Sequence, residues 1–279
     1  MNAGQRRNCK PGKTADGVRH GLARVLSKMG LASRTVASRW IRDGLVRVDG
    51  RVVRDPEFPV LLGKARIEVS AADALGDAPA GTPVEAADGD GLRARARVVI
   101  ALNKPRGLVT TRVDEQGRGT VYACLDDPSL PWLAPVGRLD KASEGLLLFC
   151  NDPAWAAGIT GPGGPSKTYH VQIDGIPDPG VLVSLVAGID CDGERLAARS
   201  ATMLRHGARY AWLEIVLDQG RNRQIRRLLQ ASGFGVLRLV RVAIGPLALG
   251  SLPKGAWRRL DKTEIEALRE SRGAPGRPS

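Results

Sequence analysis

The stretch "GRLDKASEGLLLFCND", residues 137–152, contains the most informative strand of the chain. Its apolar run from Leu146 to Cys150 predicts a buried β-strand. Asp140 stands between a glycine–arginine pair and that strand. An aspartate in this position can bind the backbone of its own turn. It can also act as a nucleophile or a base.

The surrounding sequence predicts an α+β domain over residues 96–266, followed by a disordered tail over 267–279. Further strands are predicted at Val98–Leu102, Thr168–Ile173, Trp212–Leu217 and Leu237–Val242, and one helix over "RNRQIRRLLQASG" (221–233). Several strands with few long helices indicate a mixed, mainly antiparallel sheet.

The first part of the chain predicts a small αβ domain over residues 20–70. Leu22, Val25, Leu26 and Met29 share one helical face that ends at Gly30, and Ser33 is an N-cap for a second helix that Gly44 ends. Asp49-Gly50 predicts a hairpin turn, followed by a strand ending near Val69. Residues 1–19 are expected to form a disordered basic arm. Residues 71–95, rich in Ala, Gly, Pro and Asp, are expected to form a flexible linker.

The charge of the chain predicts a polyanionic partner. The net charge is +13, and arginine supplies 33 of the 42 basic residues. Nucleic acid is the commonest partner of such a surface. The chain has no apolar run long enough for a bilayer and no signal-peptide pattern, which predicts a cytoplasmic protein without a membrane partner. The four cysteines are too scattered for a zinc site, and neither a metal nor a cofactor is expected.

The stretch "LSKMGLASRTVASRWIRDGLVRVDGRVV" (26–53) resembles the S4 RNA-binding domain. It matches the pattern G-x-x-S-R followed by I-x-x-G-x-V-x-V-x-G. It departs at Gly21, where the family usually has a basic residue. The resemblance implies a module that docks RNA, and the arginines expected to contact phosphates are Arg24, Arg34, Arg39 and Arg47.

Residues 137–152 resemble the catalytic motif of pseudouridine synthases, in the form typical of the bacterial ribosomal-RNA branch that carries an S4 module. Three further blocks agree in order and spacing: "NKPRG" (103–107), "KTYHVQIDG" (167–175) and residues 220–260. Pro153 replaces a common glycine and Ser143 a usual threonine. The first change affects a turn and not the chemistry, and the second is a mild change.

The resemblance implies a role for each matched residue. Asp140 is the catalytic carboxylate, Tyr169 stacks on the target base, Arg226 pairs with Asp140, and Leu239 lines the base pocket. The RNA contacts expected in this domain are Lys104, Arg138, Arg221 and Arg223. Glu144 lies at a variable position of the motif and is expected at the surface, and Cys150 is expected to be buried and inert.

The resemblance implies isomerisation of a uridine in ribosomal RNA. The N1–C1′ bond breaks, the ring turns, and the ring rejoins the ribose through C5, with no metal or redox cofactor. Ribosomal RNA or a ribosome-assembly intermediate is the expected partner, and a monomer is expected. Two alternatives stay open: the same reaction on another structured RNA, and a non-catalytic RNA-binding factor in ribosome assembly.

Overall fold

The computed structural model describes residues 19–29, 31–61, 65–70, 97–112 and 114–271. The predicted linker, Gly30, the tail from residue 272 and all of the predicted basic arm except Arg19 lie outside the described residues. The chain divides into two compact units between Arg95 and Ala96. None of the helices in the described ranges is long and apolar enough to cross a membrane.

The first unit packs two helices with short strands. Its elements are β1 (Arg19–Gly21), α1 (Leu22–Lys28), α2 (Arg34–Arg42), β2 (Val46–Val48), β3 (Arg51–Val52), β4 (Pro59–Leu61) and β5 (Ile67–Val69). Strand β2 pairs with both β3 and β5, and β1 pairs with β4. The apolar faces of both helices are buried, as Leu26 and Ile41 show.

Two local signals in this unit act as predicted. The Ser33 side chain accepts a hydrogen bond from the Val36 amide at 3.2 Å, which confirms the predicted N-cap of α2. Asp49 and Gly50 both have positive φ angles, 50° and 77°, as a tight hairpin turn requires. The β1–β4 pair was not predicted, because these short strands lie far apart in sequence.

The second unit contains a large sheet. Its strands are β6 (Val99–Lys104), β7 (Ala134–Val136), β8 (Glu144–Cys150), β9 (Lys167–Ile173), β10 (Ile189–Cys191), β11 (Glu194–Leu196), β12 (Ser200–His206), β13 (Ala211–Leu217), β14 (Val236–Ile244), β15 (Leu247–Ala248) and β16 (Trp257–Arg259). Its helices are α3 (Pro153–Thr160), α4 (Pro179–Ala187), α5 (Gln224–Ala231) and α6 (Lys262–Glu270), with a short 3₁₀ turn at Val121–Cys124.

Within the described residues, nine strands form one sheet in the order β12-β13-β9-β14-β8-β6-β16, with β15 beside β14 and β7 beside β8. The one parallel pair among these ladders joins β14 to β8. This arrangement confirms the predicted α+β class with a mixed, mainly antiparallel sheet. Strands β10 and β11 form a separate hairpin.

One edge of β8 is shared between two strands. Strand β14 pairs with its start, at Glu144 and Gly145, and β7 pairs with its end, from Leu148 to Cys150. Gly145 has a φ of +101°, and a Cβ atom there would lie 2.3 Å from the Arg241 carbonyl oxygen. Only glycine therefore permits this approach of the two backbones.

Both faces of β8 are buried, which explains its continuous apolar sequence. Leu147 and Phe149 belong to one hydrophobic cluster, together with residues of β9, β13 and α5. Leu146 and Leu148 belong to a second cluster on the other face, together with residues of α3 and α6. The sheet is thus packed between two layers in its central part.

The sequence predicts one helix in the second unit, whereas its described residues form four. Helices α3 and α4 begin with Asp-Pro pairs, and the Asp152 and Asp178 side chains accept hydrogen bonds from the first-turn amides. An Asp-Pro pair is a local signal for the start of a helix, and it accounts for both of these unpredicted helices.

The predicted end of the domain at residue 266 is too early. Asp261 and Glu264 form a reciprocal capping box that begins α6. The helix continues to Glu270, and the Leu268 side chain is fully buried in the second cluster. A buried anchor in the last turn accounts for the ordered end.

Candidate active site

A cavity of about 180 Å³ lies where β7 and β14 separate along β8. It is lined by seven of the predicted residues: Asp140, Tyr169, Arg226, Leu239, Arg138, Arg221 and Arg223. They come from the β7–β8 loop, β9, the loop before α5, α5 itself and β14. The fold therefore joins segments that are distant in sequence around one carboxylate.

Asp140 begins a tight turn, residues 140–143, that is fixed along its whole backbone. Each of the four carbonyl oxygens accepts a hydrogen bond: Asp140 from the Ser143 amide (3.0 Å), Lys141 from the Gly107 amide (2.8 Å), Ala142 from Arg226 Nη2 (3.4 Å) and Ser143 from Lys104 Nζ (2.7 Å). The Asp140 carboxylate itself is left partly open, with 39% of the side chain exposed. A fixed backbone and an accessible carboxylate suit attack on a bound ligand.

The predicted ion pair between Arg226 and Asp140 is not formed, although both residues are described. Arg226 donates from Nη1 to the Val236 carbonyl at 3.2 Å and from Nη2 to Ala142. Arg223 is the arginine that pairs with Asp140, with 3.5 Å between Nη1 and Oδ2. The reason is geometric: carbonyls of β14 and of the Asp140 turn face the Arg226 fork directly.

Arg226 still lies within the electrostatic influence of Asp140. Burial and the charge of Arg223 lower the pKa of the Arg226 guanidinium, whereas Asp140 raises it. Arg226, a residue of α5, is therefore hydrogen-bonded to β14 and to the Asp140 turn. It influences the position of the Asp140 carboxylate through the backbone of that turn.

The expectation that Lys104 contacts RNA is wrong. Its side chain is fully buried at the end of β6. The ammonium donates to the carbonyls of Ser143 and Pro105, at 2.7 and 3.1 Å. Burial lowers its pKa to about 8, against the opposing influence of Glu144 and Asp140. Lys104 therefore holds the Asp140 turn in place through its hydrogen bond to the Ser143 carbonyl.

Glu144 was expected at the surface and is instead 3% exposed. Its carboxylate binds Arg238 Nε and Lys254 Nζ, each at 2.7 Å. Burial raises its pKa, but these two cations outweigh that effect and the net shift is downward. A buried carboxylate needs such partners. The sequence around Glu144 does not indicate these partners, because Arg238 and Lys254 lie about a hundred residues away.

Tyr169 and Leu239 are each 7% exposed, on β9 and β14. Tyr169 alternates with Val171 and Ile173, and all three side chains are buried on the face of the first cluster. The Tyr169 ring lines the cavity. Cys150 is buried, and burial raises its thiol pKa to about 11, as expected of an inert cysteine.

Comparison with known proteins shows the family to which the chain is similar. A family model described as RNA pseudouridylate synthase matches residues 98–231, and one described as S4 domain matches residues 21–65. A Mycobacterium tuberculosis H37Rv protein named as an uncharacterised RNA pseudouridine synthase is 35% identical over 255 residues, which cover 90% of this chain and 94% of the relative. The chain belongs to the RNA pseudouridine synthase family.

Two further similarities support the same assignment. A Rickettsia bellii protein, also named as an uncharacterised RNA pseudouridine synthase, is 34% identical over 242 residues, covering 86% of this chain and 96% of the relative. A crystal structure of a pseudouridylate synthase superimposes with a TM-score of 0.58 at 25% identity, covering 90% of this chain and the whole of that one. The synthase thus combines an S4 RNA-binding domain with an isomerase domain.

Proposed function

We propose that this synthase isomerises one uridine of ribosomal RNA to pseudouridine, with Asp140 as the catalytic carboxylate. The observation that carries the proposal is the cavity that brings Asp140, Tyr169 and Leu239 together. It offers one accessible carboxylate on a fixed turn, together with a buried aromatic ring and an apolar side chain. This combination suits a single base that has left its stack.

Each group in the cavity has a distinct role in this proposal. The base stacks on Tyr169 and contacts Leu239, which places its ribose toward Asp140. The carboxylate acts on the sugar–base unit as nucleophile or base. Arg226 and Lys104 keep the Asp140 turn in position. Arg138, Arg221 and Arg223 surround the cavity, and we assign to them the phosphates that flank the target nucleotide.

The first unit supplies the affinity for a large structured RNA. Arg24, Arg34, Arg39 and Arg47 are all exposed on it. Together with the net charge of +13, they favour a long polyanion over a small substrate. Ribosomal RNA, free or in an assembly intermediate, is the proposed substrate of a monomeric cytoplasmic enzyme.

Mapping of pseudouridines in ribosomal RNA tests the proposal. RNA from cells with and without the gene should differ at one uridine, and the purified protein should restore pseudouridine there. A change confined to another RNA would assign the same reaction to that substrate. An unchanged set of pseudouridines in every RNA, together with an assembly defect, would identify a non-catalytic factor.

Removing two arginines of the first unit should weaken RNA binding without changing the chemical step. For Arg24→Ala combined with Arg34→Ala, we expect the slope of log affinity against log salt concentration to flatten by about one unit per lost phosphate contact. Filter binding over a salt series measures that slope, and single-turnover assays at saturating enzyme measure the step.

The matched control removes two arginines that the fold already uses. Arg54 donates to the Arg42 carbonyl and Arg66 pairs with Glu68. Replacing both with alanine should leave the slope nearly unchanged. Equal slopes for the wild type and the Arg24/Arg34 variant would show that the first unit does not bind RNA through these residues.

A further inference from the structure

Two buried cations line the cavity and have no role in the reaction described so far. Lys167 begins β9 two residues before Tyr169, so the two side chains share a face of the strand. Arg241 is opposite Tyr169 in the ladder between β9 and β14. Only 8% of Lys167 and 5% of Arg241 is exposed. Both cations therefore border the place where a base stacked on Tyr169 would lie.

Arg241 has unused hydrogen-bonding capacity in this place. Its Nε donates to the Leu146 carbonyl at 2.7 Å, where the edge of β8 lies between its two neighbouring strands. Its Nη2 is buried and has no partner among the described residues. A buried donor without an acceptor is costly, and a native fold rarely keeps one without a use.

Lys167 is equally poorly compensated. Its Nζ reaches the Ile159 carbonyl at 3.5 Å, the limit of a hydrogen bond. Burial and the charge of Arg241 lower its pKa, and Asp218 opposes them. Asp218, however, is ion-paired with Arg199 at 3.1 Å. These two buried cations thus lack an anionic partner, and a ligand with a negative charge or strong hydrogen-bond acceptors would supply one.

We propose that Lys167 and Arg241 bind the carbonyl oxygens of the target uracil and stabilise the negative charge that its ring acquires during the reaction. The inference rests on the proposed function. When the N1–C1′ bond breaks, its electron pair stays with the ring and spreads over O2 and O4. C1′ is left electron-poor and faces the Asp140 carboxylate. After the ring turns, C5 bonds to C1′. The C5 proton passes to a base, either the Asp140 carboxylate or water, and N1 takes up a proton from water, so no proton is gained or lost overall.

The two cations would favour the broken-bond state over the bound substrate. The neutral uracil presents weak acceptors, whereas the departing ring carries a full charge in a buried cavity. Donors that are already in place interact more strongly with the charged form and need no reorganisation. Removing one such donor typically slows the chemical step about 100- to 1,000-fold.

Lys167→Met provides the test, because it keeps the apolar stem and removes the charge. The substrate is a ribosomal RNA fragment spanning the uridine that the mapping identifies. We expect a single-turnover rate about 100-fold lower, with an RNA dissociation constant within about threefold of the wild type. Relief of an unpaired buried charge should leave the melting temperature equal or higher. Lys262→Met, which removes an exposed lysine at the start of α6, should change none of these.

A second substrate separates charge stabilisation from a structural role. In the same fragment the target is replaced by 5-fluorouridine, whose fluorine stabilises a negative ring and provides no C5 proton. The assay therefore follows loss of the N-linked nucleoside by mass spectrometry. The deficit of Lys167→Met should be clearly smaller with this substrate. Arg241→Lys, which keeps a cation but loses the fork, should show the same direction of change.

Several outcomes would overturn the inference. One is a near-normal rate for Lys167→Met. Another is a defect confined to affinity and its salt dependence, which would identify Lys167 as a phosphate contact. The last is an equal deficit with both substrates together with a lower melting temperature, which would identify Lys167 as a structural residue. If the mapping finds no uridine that the wild type converts, the proposed function fails, and this inference fails with it.

Discussion

Replacing Asp140 with asparagine should abolish pseudouridine formation and leave RNA binding intact. The amide keeps the shape of the side chain but can neither attack carbon nor accept a proton at neutral pH. Loss of an essential group of this kind lowers the rate on the order of 10⁴-fold or more. The fold should persist, because the Arg223–Asp140 pair is partly exposed and such pairs contribute little stability.

Nucleoside analysis of RNA after single-turnover incubation, beside gel-shift affinity, separates the two effects. Asp126→Asn is the matched control, since it makes the same chemical change at an exposed position outside the cavity. An Asp140→Asn protein with a rate near that of the wild type would show that another group performs the reaction.

Changing Arg226 to lysine should slow the chemical step severely although the charge is kept. The Arg226 fork binds two carbonyls on different segments, Val236 on β14 and Ala142 in the Asp140 turn. A lysine ammonium cannot reproduce that geometry. We expect a loss of about 100-fold, as displacements of about 1 Å in a catalytic group can produce. Single-turnover rates at saturating enzyme provide the measurement.

Arg227→Lys is the control for this substitution. Arg227 is the next residue of α5 and also uses both arms of its fork, for Glu194 and for the Cys191 carbonyl, but it does not line the cavity. Its rate should stay near the wild-type value. If Arg226→Lys reacts normally but binds RNA more weakly, Arg226 is a phosphate contact and the Asp140 turn is held by its other bonds.

Local signals in the sequence were sufficient for much of the fold. Ser33 as an N-cap, the Asp49-Gly50 turn and the alternation around Tyr169 each depend on neighbouring residues alone. The Asp-Pro starts of α3 and α4 depended on equally local information and were overlooked. Pairings such as β1 with β4 could not be read from one sequence, because nothing in either short strand specifies its distant partner.

The sequence predicted which residues lie in the site but not which of them contact one another. The motifs placed Asp140, Tyr169, Arg226 and Leu239 in one pocket, as the structure has them. Which arginine pairs with Asp140 depends on side-chain directions that spacing does not fix. The burial of Lys104 and Glu144 also contradicts the general rule that charged residues lie outside. Each is buried because a distant group compensates its polarity.

The parallel pairing of β8 with β14 has a consequence for synthesis of the protein. Glu144 and Val240 face each other across almost a hundred residues of intervening chain. A nascent chain that has emerged only as far as α4 carries Asp140 and Tyr169 but lacks Arg226 and the Leu239 wall. Contacts of such long range form late, because loop closure must precede them. The cavity around Asp140 therefore cannot be complete until α5 and β14 have been synthesised and β14 has paired with β8 and β9.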